Sequence, residues 1–353
     1  MIYFVTGQKE LYQDPDYVCI TPEESLKLME DWKLIQLDSE TSGRNAHLCS
    51  LLCLQFGNDK ADARIVVDAT TVDVSIYKEQ LESKRLILQN GKFDLQFLYN
   101  YGIVPLKVYD TMICEQLLYL GYPSGQISYS LKEIASRRLG ENIDKTVRGE
   151  IIWRGLDKSV ILYAAGDVTY LERIMHSQLA DLKKKDLLKA AQIECDFVPT
   201  IAYLEWCGIH LDKNKWKAKM EKDKVKLEAA KEALNAFVIR TPELQKYTQV
   251  NRQGDLFSGF DLQPKCIVNW SSSRQVVGIA KDLGFDTKVQ DKKTGEDKES
   301  VLEKHLSKQK GINDEFLKLY FDYQEHFKVV SSFGQGHLNA INPKTDRIHT
   351  VYR

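Results

Sequence analysis

The stretch LIQLDSETSGRNAHLCSLLCLQFGNDKADARIVV, residues 34–67, decides the fold class. It contains three short runs that are rich in apolar and branched residues, at 34–38, 50–56 and 63–67. The pair Asn58-Asp59 supplies a turn between the second run and the third. These runs predict three β-strands that follow one another as a meander.

Helical patterns begin on either side of this meander. Apolar residues recur at helical spacing in five segments, at 23–32, 94–101, 111–120, 130–139 and 158–185, and residues 85–89 (RLILQ) predict one more buried strand. Strands that come first as a meander and then alternate with helices indicate a mixed sheet covered by helices. The first half of the chain is therefore predicted to be an α/β domain.

The sequence changes character near residue 190, where we place a domain boundary. Helices are predicted at 191–206, 214–239, 274–283 and 316–330, and the long helix at 214–239 is rich in lysine, glutamate and alanine. The serines at 271–273 offer an N-cap for the third of these helices. The polar stretch 288–300 predicts a loop. The second half is expected to be mostly helical.

Composition limits the class of protein. The chain has 353 residues, of which 43% are hydrophobic and 28% charged, as in soluble globular proteins. No apolar run approaches the ~20 residues that a bilayer requires, so no membrane partner is expected. The seven cysteines contain one close pair, Cys49 and Cys53, without a second pair to complete a zinc site. These features predict a reducing, intracellular and cytoplasmic location.

Charge is divided unevenly between the two halves of the chain. Residues 1–206 carry 23 Lys and Arg against 30 Asp and Glu, a net charge of −7, whereas residues 207–353 carry 26 against 20, a net charge of +6. A basic half is the part expected to lie along a polyanion such as a nucleic acid, although lysine-covered helices without that role are also common.

Two carboxylates lie together at the end of the first predicted strand. Asp38 and Glu40 are two residues apart, so their side chains point to the same face of the strand. Two acids this close repel each other unless a cation or a proton lies between them. The tripeptide alone is also consistent with an ordinary polar strand end.

Two further acids occupy predicted helices. Asp94 falls in the first turn of a helix, where it can simply favour the helix dipole. Tyr163 and Asp167 are four residues apart and therefore share a helix face. Taken together, four carboxylates and a tyrosine without His or Cys form an oxygen-rich set that suits Mg²⁺ or Mn²⁺. Two such ions ~3.5–4 Å apart can promote displacement at a phosphodiester.

The arrangement of these residues resembles the DnaQ-like (DEDD) 3′–5′ exonucleases, whose fold is ribonuclease H-like. Residues 37–41 (LDSET) resemble the first exonuclease motif, residues 90–94 (NGKFD) the second, and residues 163–167 (YAAGD) the third in its tyrosine form. The resemblance implies that Asp38, Glu40, Asp94 and Asp167 hold two Mg²⁺ ions and that Tyr163 orients the attacking water.

The same resemblance extends to residues that touch the terminal nucleotide. Thr41, Gln89 and Asn90 match positions that contact it in the family. Arg44 departs from the family pattern, because an apolar residue is usual there. The way in which the substrate strand is held is therefore expected to differ in this chain.

The second half resembles the thumb region of family A DNA polymerases. Residues 194–212, 269–275, 293–295 and 342–350 carry the likeness, and the palm and fingers do not follow. The resemblance implies contacts with duplex DNA from six residues, namely Asn269, Ser271, Arg274, Lys293, Thr294 and Arg347. It also implies that this chain is either a fragment of such a polymerase or a naturally split subunit, whose palm and fingers would belong to a separate chain.

We therefore predict two domains, an exonuclease at 1–190 and a helical polymerase thumb region at 191–353. The predicted activity is metal-dependent removal of nucleoside 5′-monophosphates from single-stranded DNA 3′ ends, in replication or repair, with no polymerase activity from this chain alone. One alternative is an RNase D-like or Werner-like exonuclease that acts on RNA. Another is a non-catalytic DNA-binding subunit of a polymerase.

Overall fold

The computed structural model describes residues 1–123, 125–143, 151–250, 264–291 and 295–352. The chain divides into two compact units, one formed by residues 1–209 together with 342–353 and the other by residues 210–341. The predicted boundary lay at residue 190, but residues 191–209 pack in the first unit. The physical reason is that the buried Ala191, Cys195, Val198 and Ala202 all join apolar clusters of that unit.

A seven-stranded mixed sheet forms the centre of the first unit. In spatial order, its strands run β2-β1-β5-β4-β3-β6-β7. The middle strand β4 is antiparallel to both β3 and β5, and the other neighbouring pairs are parallel. The bounds are β1 Ile2–Val5, β2 Val18–Ile20, β3 Leu34–Thr41, β4 Leu51–Gly57, β5 Arg64–Asp68, β6 Arg85–Leu88 and β7 Val108–Asp110. This order confirms the predicted ribonuclease H-like mixed sheet.

Nine helices accompany the sheet among the described residues of the first unit. They are α1 Pro22–Met29, α2 Lys78–Ser83, α3 Lys92–Tyr99, α4 Thr111–Leu118, α5 Leu131–Leu139, α6 Ile151–Arg154, α7 Lys158–Asp167, α8 Leu171–Lys184 and α9 Leu188–Cys207. Short 3₁₀ turns lie at Lys9–Leu11 and Val74–Tyr77. Apolar clusters that include Leu37, Phe56 and Phe97 bury the sheet beneath these helices.

The single helix predicted at 158–185 was wrong, since the structure breaks it into α7 and α8. The side chain of Thr169 bonds back to the carbonyl of Ala165 at 3.1 Å. The buried amide of Gln36 then accepts the backbone N–H of Glu172 at 2.9 Å. The first backbone N–H groups of a helix have no acceptor within that helix. Because Gln36 accepts one of them at the start of α8, this second helix can begin in the interior of the domain.

The second unit is mostly helical, as predicted. Its helices are α10 Lys213–Arg240, α11 Ser273–Asp282, α12 Glu303–Leu306, α13 Asp314–Phe333 and α14 Gln335–Asn339, with 3₁₀ turns at Pro242–Tyr247 and Ser307–Gln309. The short strands of the chain are β8 Ile209–His210, β9 Thr248–Val250, β10 Pro264–Cys266, β11 Lys288–Gln290, β12 Asp297–Glu299 and β13 Arg347–Ile348. Helices α10 and α13 share an apolar core with Trp270.

The prediction of a loop at 288–300 was wrong in part, because two short β-strands lie within this segment. Strands β11 and β12 pair in antiparallel register there, with Lys288 opposite Glu299. Ser272 occupies the N-cap position of α11, as the serine run predicted, but its side chain makes no capping bond. No helix in the described parts of the chain combines the length and the apolar character that crossing a membrane demands.

Candidate nuclease site

The two carboxylates of β3 lie where this strand extends past its neighbour. Strand β6 pairs only with residues Leu34, Ile35 and Gln36 of β3, so Asp38 and Glu40 lie beyond that pairing. On the other side β4 continues along them, and the register shifts between Glu40 and Thr41. A shift of this kind bends the strand locally and redirects the side chains beside it. Both acids are half-buried at this open edge.

Asp167 comes to the same place from the end of α7. Ligand oxygens of Asp38, Glu40 and Asp167 all lie within 4.8 Å of one another. Helix α7 can approach the sheet closely because Gly57 ends β4 beneath it: a Cβ at that position would lie 2.6 Å from the carbonyl oxygen of Val168. The sheet and the helix therefore bring together three of the four predicted metal ligands.

Asp94, the fourth predicted ligand, is not one of these three. It lies in the first turn of α3, is almost completely buried, and its Oδ1 accepts a hydrogen bond from the Ser39 hydroxyl at 2.5 Å. Burial, with a smaller contribution from Asp110 and Glu40, raises the pKa of Asp94 to about 7. Ser39, which lies between the two acids of β3, thus links Asp94 to the cluster. The sequence analysis did not identify this role.

Tyr163 faces the cluster from one turn before Asp167. Burial, and then the negative charges of Asp167 and Glu40, raise the pKa of its hydroxyl well above the ordinary value. The phenol therefore stays protonated at neutral pH and can donate a hydrogen bond. This is the i, i+4 arrangement that the sequence predicted.

The turn that carries Asn90 is held by a buried carboxylate. Asn90 has a positive φ of 62°, a conformation that asparagine tolerates better than most residues. Asp110 accepts the backbone N–H of Asn90 at 3.2 Å and that of Gly91 at 2.7 Å, and it also caps α4 through Met112 and Ile113. One carboxylate thus fixes the starts of two helices at the site.

A cleft of about 1010 Å³ contains these groups. Its lining includes all five predicted catalytic residues and the three residues predicted to touch the terminal nucleotide, Thr41, Gln89 and Asn90. Arg44 also lines it. The Gln89 side chain already donates to the carbonyl of Tyr129 at 2.8 Å, and the Thr41 hydroxyl donates to the carbonyl of Gly43 at 2.8 Å. The cleft is at the upper end of the size range for ligand pockets.

The remaining predicted contacts lie elsewhere. Asn269, Ser271 and Arg274 are exposed around the start of α11 in the second unit, where Asn269 Oδ1 accepts the Ser271 hydroxyl at 2.6 Å. Arg347 belongs to the first unit, and its guanidinium donates to the carbonyls of Cys207 and Gly208. Lys293 and Thr294 lie outside the described residues.

The chemistry of the donor set fits a hard divalent cation. Three carboxylates converge, and neither His nor Cys joins them in the described parts of the chain. Oxygen-only sites of this kind suit Mg²⁺ or Mn²⁺. Without a cation, three acids this close repel one another. The residues that hold them in place therefore work against electrostatic repulsion.

Comparison with known proteins identifies the class of this unit. Residues 18–183 match the family model of a 3′–5′ exonuclease domain. DNA polymerase I of Aquifex aeolicus is 30% identical over 222 residues, which cover 56% of this chain and 36% of that protein. Ribonuclease D of Sphingobium indicum is 32% identical over 155 residues, which cover 42% of this chain and 39% of that protein. The chain thus spans well under half the length of these curated relatives.

A solved structure extends the likeness in fold. The polymerase domain of Pol1 from M. smegmatis, in complex with a DNA primer-template and dNTP, aligns with a TM-score of 0.64 at 16% identity. The alignment covers 94% of this chain and 51% of that one, and at this identity it shows similarity of fold alone. Residues 18–183 therefore form a 3′–5′ exonuclease domain, and the chain is similar in sequence to parts of DNA polymerase I and of ribonuclease D.

Proposed function

We propose that this chain removes nucleoside 5′-monophosphates one at a time from the 3′ end of single-stranded DNA. The observation that carries this proposal is the convergence of Asp38, Glu40 and Asp167 in one cleft with Tyr163. A nuclease centre needs closely spaced carboxylates for divalent cations and a donor for the attacking water. All of these groups lie in the exonuclease domain.

In the proposed site, Asp38, Glu40, Asp94 and Asp167 would hold two Mg²⁺ ions, or Mn²⁺ ions in their place. A pair of such ions supplies Lewis acidity and stabilises the charge that develops on the scissile phosphate. The Tyr163 hydroxyl donates a hydrogen bond to the attacking water and so fixes the direction of attack. Asn90 and Thr41, together with Gln89, contact the terminal nucleotide.

The preference for DNA rests on the second unit. The sequence matches to polymerase I and to ribonuclease D reach similar lengths, 222 and 202 residues, but the fold of nearly the whole chain, second unit included, has a counterpart in a polymerase domain. In this proposal, residues 210–341 act as a thumb region that holds duplex DNA. Its proposed contacts are Asn269, Ser271, Arg274, Lys293 and Thr294, and Arg347 of the first unit is a further proposed contact. Palm and fingers are supplied by a further polypeptide segment or a separate chain.

A second candidate function is removal of nucleotides from RNA, because several curated relatives are ribonucleases D. Side-by-side digestion of DNA and RNA strands of the same sequence separates the two. The DNA proposal predicts faster release from DNA. Preferential release from RNA would favour the ribonuclease D alternative.

The exonuclease proposal is tested with 3′-labelled strands, with Mg²⁺ and with EDTA. Asp38→Ala and Asp167→Ala are expected to lower the rate at least ~100-fold, as when a preorganised charged group is removed from an active site. Asp31→Ala is the matched control, since Asp31 is exposed in the same unit and does not line the cleft. Unchanged release by both site variants would contradict the assignment.

A further inference from the structure

The last described residues of the chain form part of the nuclease cleft. His349, Thr350 and Val351 line it together with Asp38 and the other acids, although more than 180 positions separate them from Asp167. They belong to the first compact unit. The position of this segment therefore affects how much of a bound strand the cleft can hold.

A single buried carboxylate holds this segment. Glu205 lies near the end of α9 and is only 4% exposed. Its Oε1 accepts the backbone N–H of Tyr352 at 2.7 Å and the ammonium of Lys92 at 2.8 Å, and its Oε2 accepts the side-chain amide of Gln96 at 2.8 Å. Lys92 also donates to the Tyr352 carbonyl at 2.7 Å. The carboxylate thus joins three segments: α9, α3 and the end of the chain.

The main chain of the same residue provides a second attachment. His349 Nδ1 lies 2.9 Å from the carbonyl oxygen of Glu205, and its Nε2 lies 2.7 Å from the Thr345 hydroxyl. Its ring packs against that of His47, with centroids 4.3 Å apart. Residues 349–352 are therefore fixed at both ends by contacts with Glu205.

The geometry around Glu205 suits a supporting role and argues against contact with substrate. Its two oxygens already accept three hydrogen bonds, and the Lys92 ammonium balances its charge. An unbalanced carboxylate in this cleft would repel the phosphates of a bound strand. Lys92 and Gln96 lie on α3, which is also held by the bonds of Asp110 at its start and by the buried Leu98, so the position of Asp94 does not depend on Glu205.

We propose that Glu205 is a positioning residue of the nuclease cleft. It holds residues 349–352 in place as a wall against which the substrate strand lies. The inference rests on the proposed exonuclease function and adds a determinant of strand binding. Loss of the carboxylate removes the acceptor of the Tyr352 amide and so loosens one end of the wall. The attachment of His349 to the main-chain carbonyl and the cluster of Asp38, Glu40 and Asp167 stay in place. The defect therefore appears with a strand of several nucleotides and is absent with a single nucleotide.

The test compares two substrates, a single-stranded DNA of about ten nucleotides and the p-nitrophenyl ester of thymidine 5′-monophosphate. For Glu205→Ala in the full chain, we expect KM for the strand to rise about tenfold with kcat within about twofold, and kcat/KM for the ester to stay unchanged. Glu205→Gln retains an acceptor for Tyr352 but loses the ion pair, so it is expected to give a smaller rise. It serves as the second variant if the alanine variant does not fold.

Glu115→Gln is the matched control. Glu115 is equally buried in the first unit and is paired with Arg137 and Arg138, but it does not line the cleft. It is expected to lower the melting temperature while leaving KM for the strand unchanged. An equal rise in KM from this control would show that loss of any buried ion pair has the effect, and would overturn the proposal.

A readout independent of catalysis is hydrogen exchange at the Tyr352 amide, which is expected to accelerate about tenfold or more in Glu205→Ala and less in Glu205→Gln. Exchange at the wild-type rate, or an equal loss of kcat/KM on strand and ester, would overturn the proposal. If the wild-type chain hydrolyses neither substrate, the proposed function fails. Strand affinity then replaces KM, and weaker binding by Glu205→Ala supports the positioning role.

Discussion

Replacing Gly57 by alanine tests how the sheet and α7 set the geometry of the site. The added Cβ would lie 2.6 Å from the Val168 carbonyl oxygen, whereas contacts under 3.0 Å are essentially never seen, so α7 must move by at least about 0.4 Å. Overpacking of this kind costs about 1–3 kcal/mol in the free energy of unfolding. Val168 follows Asp167 directly, so the carboxylate moves with it. Since a 1 Å misplacement can cost ~100-fold in rate, we expect kcat to fall roughly tenfold.

The assay measures kcat on single-stranded DNA together with the melting temperature. Gly166→Ala is the matched control, because it lies on α7 itself and a Cβ there meets nothing within 4 Å. As a glycine inside a helix, its replacement is expected to stabilise the fold by about 0.5–1 kcal/mol. The two alanine variants should therefore shift the melting temperature in opposite directions. Wild-type kcat and stability in Gly57→Ala would refute the reasoning.

Three further predictions follow from the described contacts. Ser39→Ala removes the hydrogen bond to Asp94 and is expected to raise the Mg²⁺ concentration for half-maximal rate about tenfold, measured by metal titration. Asp110→Ala leaves four backbone amides without their acceptor and should lower the free energy of unfolding by on the order of 3 kcal/mol in urea titrations. Burial raises the pKa of Tyr77 to about 12 from an ordinary value of 10, so the folded state binds this proton more tightly. That stabilisation is complete below pH 10 and is lost as the pH rises to 12. Between pH 10 and pH 12 the free energy of unfolding should fall by about 2–3 kcal/mol more in the wild type than in Tyr77→Phe. An equal fall in both proteins would contradict this prediction.

Local patterns in the sequence were sufficient to predict which side chains at the centre of the candidate site lie side by side. Alternation along a strand predicts that Asp38 and Glu40 share a face, and four-residue spacing predicts that Tyr163 and Asp167 do. Both predictions depend on backbone geometry within a few residues. The meander of β3, β4 and β5 was confirmed for the same reason, with bounds that lie within three residues of the prediction.

Features that depend on distant partners were missed. The break between α7 and α8 relies on Gln36, which lies more than 130 positions away. The pairing of β1 with β5 adds β1 and β2 to the edge of the sheet, and the local sequence of these two short strands did not predict that pairing. The hydrogen bonds of Glu205 reach α3 and the end of the chain, and a glutamate near a helix end carries no local sign of such contacts. Hydrogen bonds of this kind form only once the fold has brought the segments together.

These distant contacts share one physical task. The acids of the cleft repel one another, so the separate segments that carry them would move apart unless other bonds held them. Asp110 holds the turn before α3, Gln36 holds the start of α8, and Gly57 permits the close approach of α7 to the sheet. None of these groups belongs to the cluster of carboxylates. The geometry of the site is therefore maintained by buried groups around it. Substituting one of these groups changes the rate of hydrolysis because the carboxylates move, although the carboxylates themselves are unaltered.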